Sequence, residues 1–138
     1  MNEVQIKTYV ARIKEHWLKY GFGHYLTFLK ESKNNPIGFF SLKYLSDSDV
    51  KMEISDLGFA LLPEYRGKGF AHEGASALIK YTVNKFHFKR IRALNYPENK
   101  QSIKVLKKLG FKEIGKINVE YMGRNLGLSA QWELKVDG

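Results

Sequence analysis

Arg66-Gly67-Lys68-Gly69-Phe70-Ala71 is the segment whose residue types and spacing point most directly to chemistry. It stands between an apolar run, Leu57-Gly58-Phe59-Ala60-Leu61-Leu62, that reads as a buried strand, and a downstream set, Ala75, Leu78, Ile79, Val83 and Phe86, that recurs at helical spacing. A glycine-rich turn that opens a helix presents unpaired backbone N–H groups at the positive end of the helix dipole. Such a turn holds a phosphate or pyrophosphate. Arg66 and Lys68 add mobile positive charge at its rim. Taken alone, the same six residues also read as a basic strand-to-helix turn whose glycines serve only tightness.

The spacing excludes two familiar phosphate loops. A Walker loop needs four residues between its first glycine and Gly-Lys-Ser/Thr, and a Rossmann fingerprint needs a third glycine where this chain has His72. The order Arg66-x-x-Gly69-x-Ala71 instead resembles the acyl-CoA pyrophosphate loop of the GNAT superfamily of N-acetyltransferases. A second segment strengthens the resemblance: Asn99-x-x-Ser102, then Leu106, then Leu109-Gly110-Phe111. In that superfamily a similar asparagine begins a helix beside the CoA arm, and the helix stops at Gly-Phe. The resemblance runs from about Asn35 to Phe111, is looser through the last two strands, and is closest to the branch that includes ribosomal-protein N-terminal acetyltransferases.

The elements that must position these motifs follow from periodicity and turn chemistry. Tyr9, Ile13, Trp17 and Tyr20 mark one face of an N-terminal helix that Gly21-Phe22-Gly23 ends. His24 to Lys30 and Ile37 to Tyr44 read as two strands of a hairpin, with Asn34-Asn35-Pro36 as its turn. Ser46-Asp47-Ser48-Asp49 reads as the next turn, followed by a third strand from about Lys51 to Leu62. Ile91 to Asn95 gives a fourth strand, and Asn99 caps a helix carrying Ile103, Leu106 and Leu109 inward. Gly110 suits the left-handed position after that helix, with Phe111 folding back on Leu106. Lys112 to Glu120 and Ser129 to Val136 complete the strands, with Ala130, Trp132, Leu134 and Val136 alternating inward. The fold class expected is α+β, a three-layer α/β/α domain with a mixed, mainly antiparallel sheet flanked by helices. Members of the superfamily usually begin with a strand, whereas this chain begins at a helix. The first strand is therefore expected to be missing, which opens a sheet edge to another chain and gives a route to a homodimer.

At 138 residues the chain is read as one domain, 1–138. Its 43% hydrophobic and 27% charged content is that of a soluble globular protein. No apolar run approaches the roughly 20 residues of a membrane helix, and Met1-Asn2-Glu3-Val4 lacks the blocks of a signal peptide, so a cytoplasmic address is the default. The absence of cysteine excludes disulfides, a thiolate metal site and an acyl-cysteine intermediate; no metal is expected. The formal charge of +9 is spread over scattered lysines and reads as solvated faces rather than one basic stripe. It favours a polyanionic partner such as CoA through long-range attraction. Contact with RNA or ribosomes stays open.

The resemblance implies a mechanism. In the superfamily, the strand ending at Leu62 and the strand around Leu94 splay apart, and the pantetheine arm of acetyl-CoA enters the gap. Gly58 is compatible with a bulge there. Backbone groups of Phe59, Ala60 and Leu61 would pair with the arm and polarise the thioester. Arg66, Gly67, Lys68, Gly69, Phe70 and Ala71 would hold the pyrophosphate, with Asn99 and Ser102 beside the arm. Direct attack by a neutral amine calls for a base. Asp56, an acid in an apolar strand, is the first candidate and Glu53 the second, while the dipole explains Glu73. Many members use a tyrosine as acid where this chain has Leu106, and Ser102 is the substitute the branch suggests. Tyr96 and Tyr121 are alternatives, and His72 lines the helix start. The leading expectation is an acetyl-CoA-dependent N-acetyltransferase acting on a protein N-terminus or a small amine. The rivals are a non-catalytic acyl-CoA-binding module and a basic ribosome- or RNA-associated domain.

Overall fold

The computed structural model describes residues 2–96, 98–121 and 124–136. In chain order the elements are α1 (Glu3–Tyr20), β1 (His24–Leu29), β2 (Ser32–Lys43), α2 (Asp47–Met52), β3 (Ile54–Leu61), α3 (Phe70–Lys85), β4 (Arg90–Asn95), α4 (Lys100–Leu109), β5 (Lys112–Tyr121) and β6 (Arg124–Lys135). The strands form one sheet of six, in the order β1-β2-β3-β4-β6-β5. Every neighbouring pair is antiparallel except β3 and β4, which run parallel and need the crossover that α3 supplies. The mixed, mainly antiparallel sheet flanked by helices is the architecture expected. Among the described residues no helix is long and apolar enough to cross a membrane.

Directly paired residues share a face of the sheet. The register therefore puts Phe40, Leu42, Leu57, Ala93 and Trp132 on one face, where they pack with Ala75 and Leu78 of α3 and Leu106 of α4. Ser41, Lys43, Asp56, Gly58 and Arg92 occupy the other face. There α2 docks through Asp49, and α1 reaches His24 through the Tyr9 hydroxyl at 3.0 Å. Helix α1 starts in a capping box between Asn2 and Gln5, and Gly21, with φ of 78°, stops it. It contributes no buried residue of its own. Aromatic contacts attach it instead: the Trp17 ring meets Tyr25, and the following Phe22 sits among Tyr44, Phe86 and Phe88.

Three boundaries differ from expectation. The chain reverses at Lys30 and Glu31, not at Asn34-Asn35-Pro36, which lie inside β2. Pro36 pairs with Phe28 where the ladder register shifts, a place that tolerates its missing N–H. Ser46-Asp47-Ser48-Asp49 opens a helix rather than a turn, because the Ser46 Oγ accepts the Asp49 N–H at 3.2 Å and two acids sit at the positive helix end. β3 accordingly begins at Ile54. Strand β6 starts at Arg124 rather than Ser129, since the β5–β6 hairpin runs on past the end of β4.

Helix α3 lies close on the sheet because Gly74 faces the Phe40 ring, which a Cβ at that position would overlap. Phe40 is buried on all sides, so the ring cannot swing into solvent. Gly74→Ala should destabilise the protein by about 1–3 kcal/mol in urea unfolding, even though alanine is the better helix former by about 1 kcal/mol. A variant as stable as the parent would show that the helix–sheet spacing can relax.

Candidate functional site

Strands β3 and β4 are paired from Ile54↔Arg90 to Leu57↔Ala93, and the pairing stops there although both strands continue. β2 follows β3 without a register shift up to Gly38↔Leu61, so the sheet opens only on the β4 side. No bulge interrupts β3 at Gly58, contrary to expectation. Its bare Cα instead admits Ser41, whose Oγ would lie 2.9 Å from an added Cβ. The Leu62 N–H donates to the Ile37 carbonyl at 2.8 Å, and peptide groups alternate direction along a strand. The backbone groups of Gly58 and Ala60 therefore turn toward β2, and those of Phe59 and Leu61 toward the opening. The Leu61 carbonyl there accepts the Arg66 Nε–H at 2.9 Å.

Two adjoining cavities fill the opening. One of about 250 Å³ lies where the strands part, bounded by Leu57, Gly58, Asn95, Ser102 and Ser129. The other, of about 530 Å³, lies between the end of β3, the glycine loop and α4. Phe59, Asn99 and Ser102 line both. Among the described residues no Asp or Glu lines either one.

Gly67 and Gly69 have φ of 73° and 85°, a region strained for any residue with a side chain. Gly69 caps α3 without a side-chain hydrogen bond, and the helical ladder begins with the Glu73 N–H donating to the Gly69 carbonyl. The N–H groups of Phe70, Ala71 and His72 precede that bond and have no helical partner. Of the loop residues, Arg66, Gly67, Gly69 and Ala71 line the larger cavity together with Ala60 and Leu61. Lys68 and Phe70 do not: the Lys68 Nζ stands 5.9 Å over the Tyr65 ring, and Phe70 packs on the core. Arg66 is tethered to β3 rather than mobile.

Across the cleft, the Asn99 Oδ1 accepts the Ser102 N–H at 3.1 Å and caps α4. Gly110 ends the helix with φ of 96°, and the Phe111 N–H returns to the Leu106 carbonyl at 2.9 Å. Helical spacing brings Lys104 and Lys108 onto the larger cavity. These two lysines escaped the sequence reading, their only signal being cations one turn apart on a helix that faces the glycine loop. Asn95 also escaped it. Its Oδ1 accepts the Trp132 Nε1–H at 3.2 Å, and its Nδ2–H donates to the Ser102 Oγ at 3.3 Å. Tyr96 borders the smaller cavity and His72 the larger, whereas the Tyr121 side chain lies outside the described residues.

Asp56 does not face the cleft. Its Oδ1 accepts the Arg92 Nε–H at 2.6 Å, and the other side of the guanidinium donates to the Asp49 Oδ2 at 2.7 Å. Burial lifts the Asp56 carboxyl up to about 6, against the pull of Arg92 and with Asp49 pushing the same way as burial. Glu53 sits at the end of α2 and pairs with Lys89 at 3.7 Å, also away from the cleft.

Comparison with known proteins agrees with this geometry. Residues 1–112 match the acetyltransferase (GNAT) domain, and the chain belongs to that family. It is 37% identical over 60 residues to an uncharacterized N-acetyltransferase, YnaD, of Bacillus subtilis, covering 44% of this chain and 35% of the relative. It is 34% identical over 76 residues to the ribosomal protein uS5-alanine N-acetyltransferase of Escherichia coli, covering 55% and 37%. The chain thus spans between a third and two fifths of the length of the curated relatives it matches. The structure of a ribosomal-protein-S5-alanine acetyltransferase from Vibrio fischeri superimposes with a TM-score of 0.75 at 21% identity, over 94% of this chain and 69% of that one. The likeness is one of fold.

Removing the guanidinium between Asp49 and Asp56 tests the charge cluster at the base of the opening. Asp56 binds its proton more readily in the fold than at its ordinary value of 3.8. Its contribution to stability is therefore full below that value and is lost as pH rises through about 6. Without Arg92 the Asp56 carboxyl titrates higher still, and the loss extends upward. Arg92→Met should cost about 3–5 kcal/mol near pH 8 and clearly less near pH 5, measured by urea unfolding. An equal deficit at both pH values would assign the cost to packing instead.

Proposed function

We propose that this chain is an acetyl-CoA-dependent N-acyltransferase that acts on a primary amine, on a protein N-terminus or a small molecule, with both substrates bound together. The observation that carries the reading is the one-sided opening between β3 and β4, continuous with a glycine loop and an uncapped helix N-terminus. The residues fit an acyl-CoA donor. The unpaired N–H groups of Phe70, Ala71 and His72, the bare Gly67 and Gly69, and the cations Arg66, Lys104 and Lys108 suit a pyrophosphate. Added Cβ atoms at Gly67 and Gly69 would meet nothing within 4 Å, so the backbone is accessible. The strand edge at Phe59 and Leu61 suits the amides of an extended arm.

When bound, the donor supplies an activated thioester carbonyl and a thiol leaving group. The Phe59 and Leu61 N–H groups stand a two-residue strand repeat apart, so one donates to the carbonyl oxygen, worth ~3 kcal/mol if aimed at the developing charge, while the other is left for an amide of the arm. Ser102 offers its hydroxyl to the leaving sulfur. Asp56, bound to Arg92, is not given the task of base; the amine enters neutral, and its proton leaves as the C–N bond forms and the C–S bond breaks. Holding the two substrates together supplies much of the rate. An acyl-CoA donor favours a cytoplasmic setting, where such thioesters are made. The likeness to a uS5-alanine N-acetyltransferase makes a protein N-terminus the first acceptor to try, beside a panel of small amines, with release of free CoA thiol as the readout. Donor binding without turnover on any acceptor would favour a non-catalytic acyl-CoA module.

Gly69→Val should weaken CoA binding by more than tenfold in calorimetry while the fold survives, because valine at φ of 85° is strained and its branches intrude where the ligand's phosphates approach. Unchanged affinity in a folded variant would remove the central claim. Ser102→Ala should lower kcat by about tenfold, the loss of one hydrogen bond to a developing charge, with little change in CoA affinity. A normal kcat would leave positioning and the backbone donors as the catalytic contribution.

A further inference from the structure

The direction of the Ser102 hydroxyl is set by two residues that sequence reading did not connect with it. Trp132 Nε1 can only donate a hydrogen bond. The atom of the Asn95 amide that meets it, 3.2 Å away among buried side chains, must therefore be the oxygen. This contact removes the usual ambiguity between amide oxygen and nitrogen. The amide nitrogen then lies 3.3 Å from the Ser102 Oγ, and it too can only donate. One lone pair of Ser102 is engaged, and its own hydrogen cannot turn toward Asn95. The backbone N–H of Ser102 is held by the Asn99 Oδ1, so the residue is fixed in the first turn of α4. Among the described residues Ser102 makes no other side-chain hydrogen bond. A serine in a first helical turn ordinarily turns its hydroxyl to a nearby backbone or capping acceptor. Here the amide blocks one side, and the cleft is where the hydroxyl lies open.

We infer that Trp132 and Asn95 act as a positioning pair that makes Ser102 present its hydroxyl hydrogen to the cleft, as a donor to the sulfur of a bound CoA thioester. The inference rests on the acyl-donor reading of the cleft. As the amine nitrogen bonds to the acyl carbon, the C–S bond breaks and its electron pair collects on sulfur. The Ser102 O–H hydrogen-bonds that charge and keeps its own proton, while the proton of the amine passes to solvent. Asn95 and Trp132 touch neither reacting atom in this scheme and work only through Ser102.

The test uses the full chain and CoA itself, and reads the ionisation of the bound thiol from thiolate absorbance against pH. In the parent, the bound thiol should ionise below the pH at which free CoA does. Ser102→Ala should raise its pKa by about one pH unit, the size expected for one hydrogen bond to a charged group. Trp132→Phe keeps the ring packing, frees the amide to flip, and should give part of that rise. Asn95→Asp should give at least the whole of it, because a carboxylate accepts from both neighbours and draws the serine hydrogen away from sulfur. On the Ser102→Ala background Trp132→Phe should do nothing, and kcat should follow the same pattern while CoA affinity holds. Thermal melts exclude variants that fail to fold. Equal effects of Trp132→Phe on both backgrounds would overturn the inference, as would no effect of Ser102→Ala on the thiol. In either case intact CoA binding leaves the acyl-donor reading standing, whereas no CoA binding by the parent overturns both.

Discussion

The parting of β3 from β4 after Leu57 and Ala93 is the constraint on which the rest of the structure depends. A peptide edge without a strand partner is costly unless water or a ligand satisfies it, and this fold holds such an edge open over Phe59–Leu61. The regular ladder to β2 keeps β3 from following β4, and Arg66 takes the Leu61 carbonyl that a closing strand would need. The two diverging strands lead into separate helices, α3 and α4, whose packing on the same sheet face keeps them apart. At the vertex, Asp56 and Arg92 are themselves register partners, one step before the last pair. Their ion pair fastens the strands where they are still together, and Asp49 ties α2 to the same point.

Charge is sorted by this geometry. The buried acids Asp49 and Asp56 share Arg92, with Lys43 nearby, so the cluster is close to neutral and belongs to the scaffold. The cleft has Arg66, Lys104 and Lys108 on its walls and, among the described residues, no acid lining it. The formal charge of +9 therefore matters less as a total than through the few cations that meet an uncapped helix end. A lone anion at a helix N-terminus gains modestly. One that also meets the loop backbone and two lysines a turn apart is held from several sides.

What the sequence made legible was local. The glycine loop, the Asn99 cap and the Gly110 stop each lie within a few consecutive residues, and each appears where its residue types require. The hairpin turn was misplaced because Asn34-Asn35-Pro36 carries strong turn chemistry, yet a register shift at Pro36 lets it remain in a strand. Ser46 to Asp49 looked like a turn because capping and turn residues are the same types. Asp56 attracted a catalytic reading because an acid in an apolar strand needs a partner. That partner, Arg92, is 36 residues away and visible only once β3 and β4 are side by side.

The two halves of the cleft therefore differ in how they are encoded. The part suited to phosphate is built on a short continuous loop and one helix start, with only Lys104 and Lys108 of α4 brought from elsewhere in the chain. The part that orients Ser102 is assembled from β4, α4 and β6. Asn95 pairs with Ala130, and Trp132, two residues on, shares its face and reaches it diagonally. A slip of one residue in the β4–β6 register would turn Trp132 to the opposite face and leave the amide free to flip. The Phe111 ending of α4 and the ladder from Arg90↔Lys135 to Asn95↔Ala130 fix that alignment. The orientation of a single hydroxyl in the cleft thus depends on strand register more than on any residue of the glycine motif.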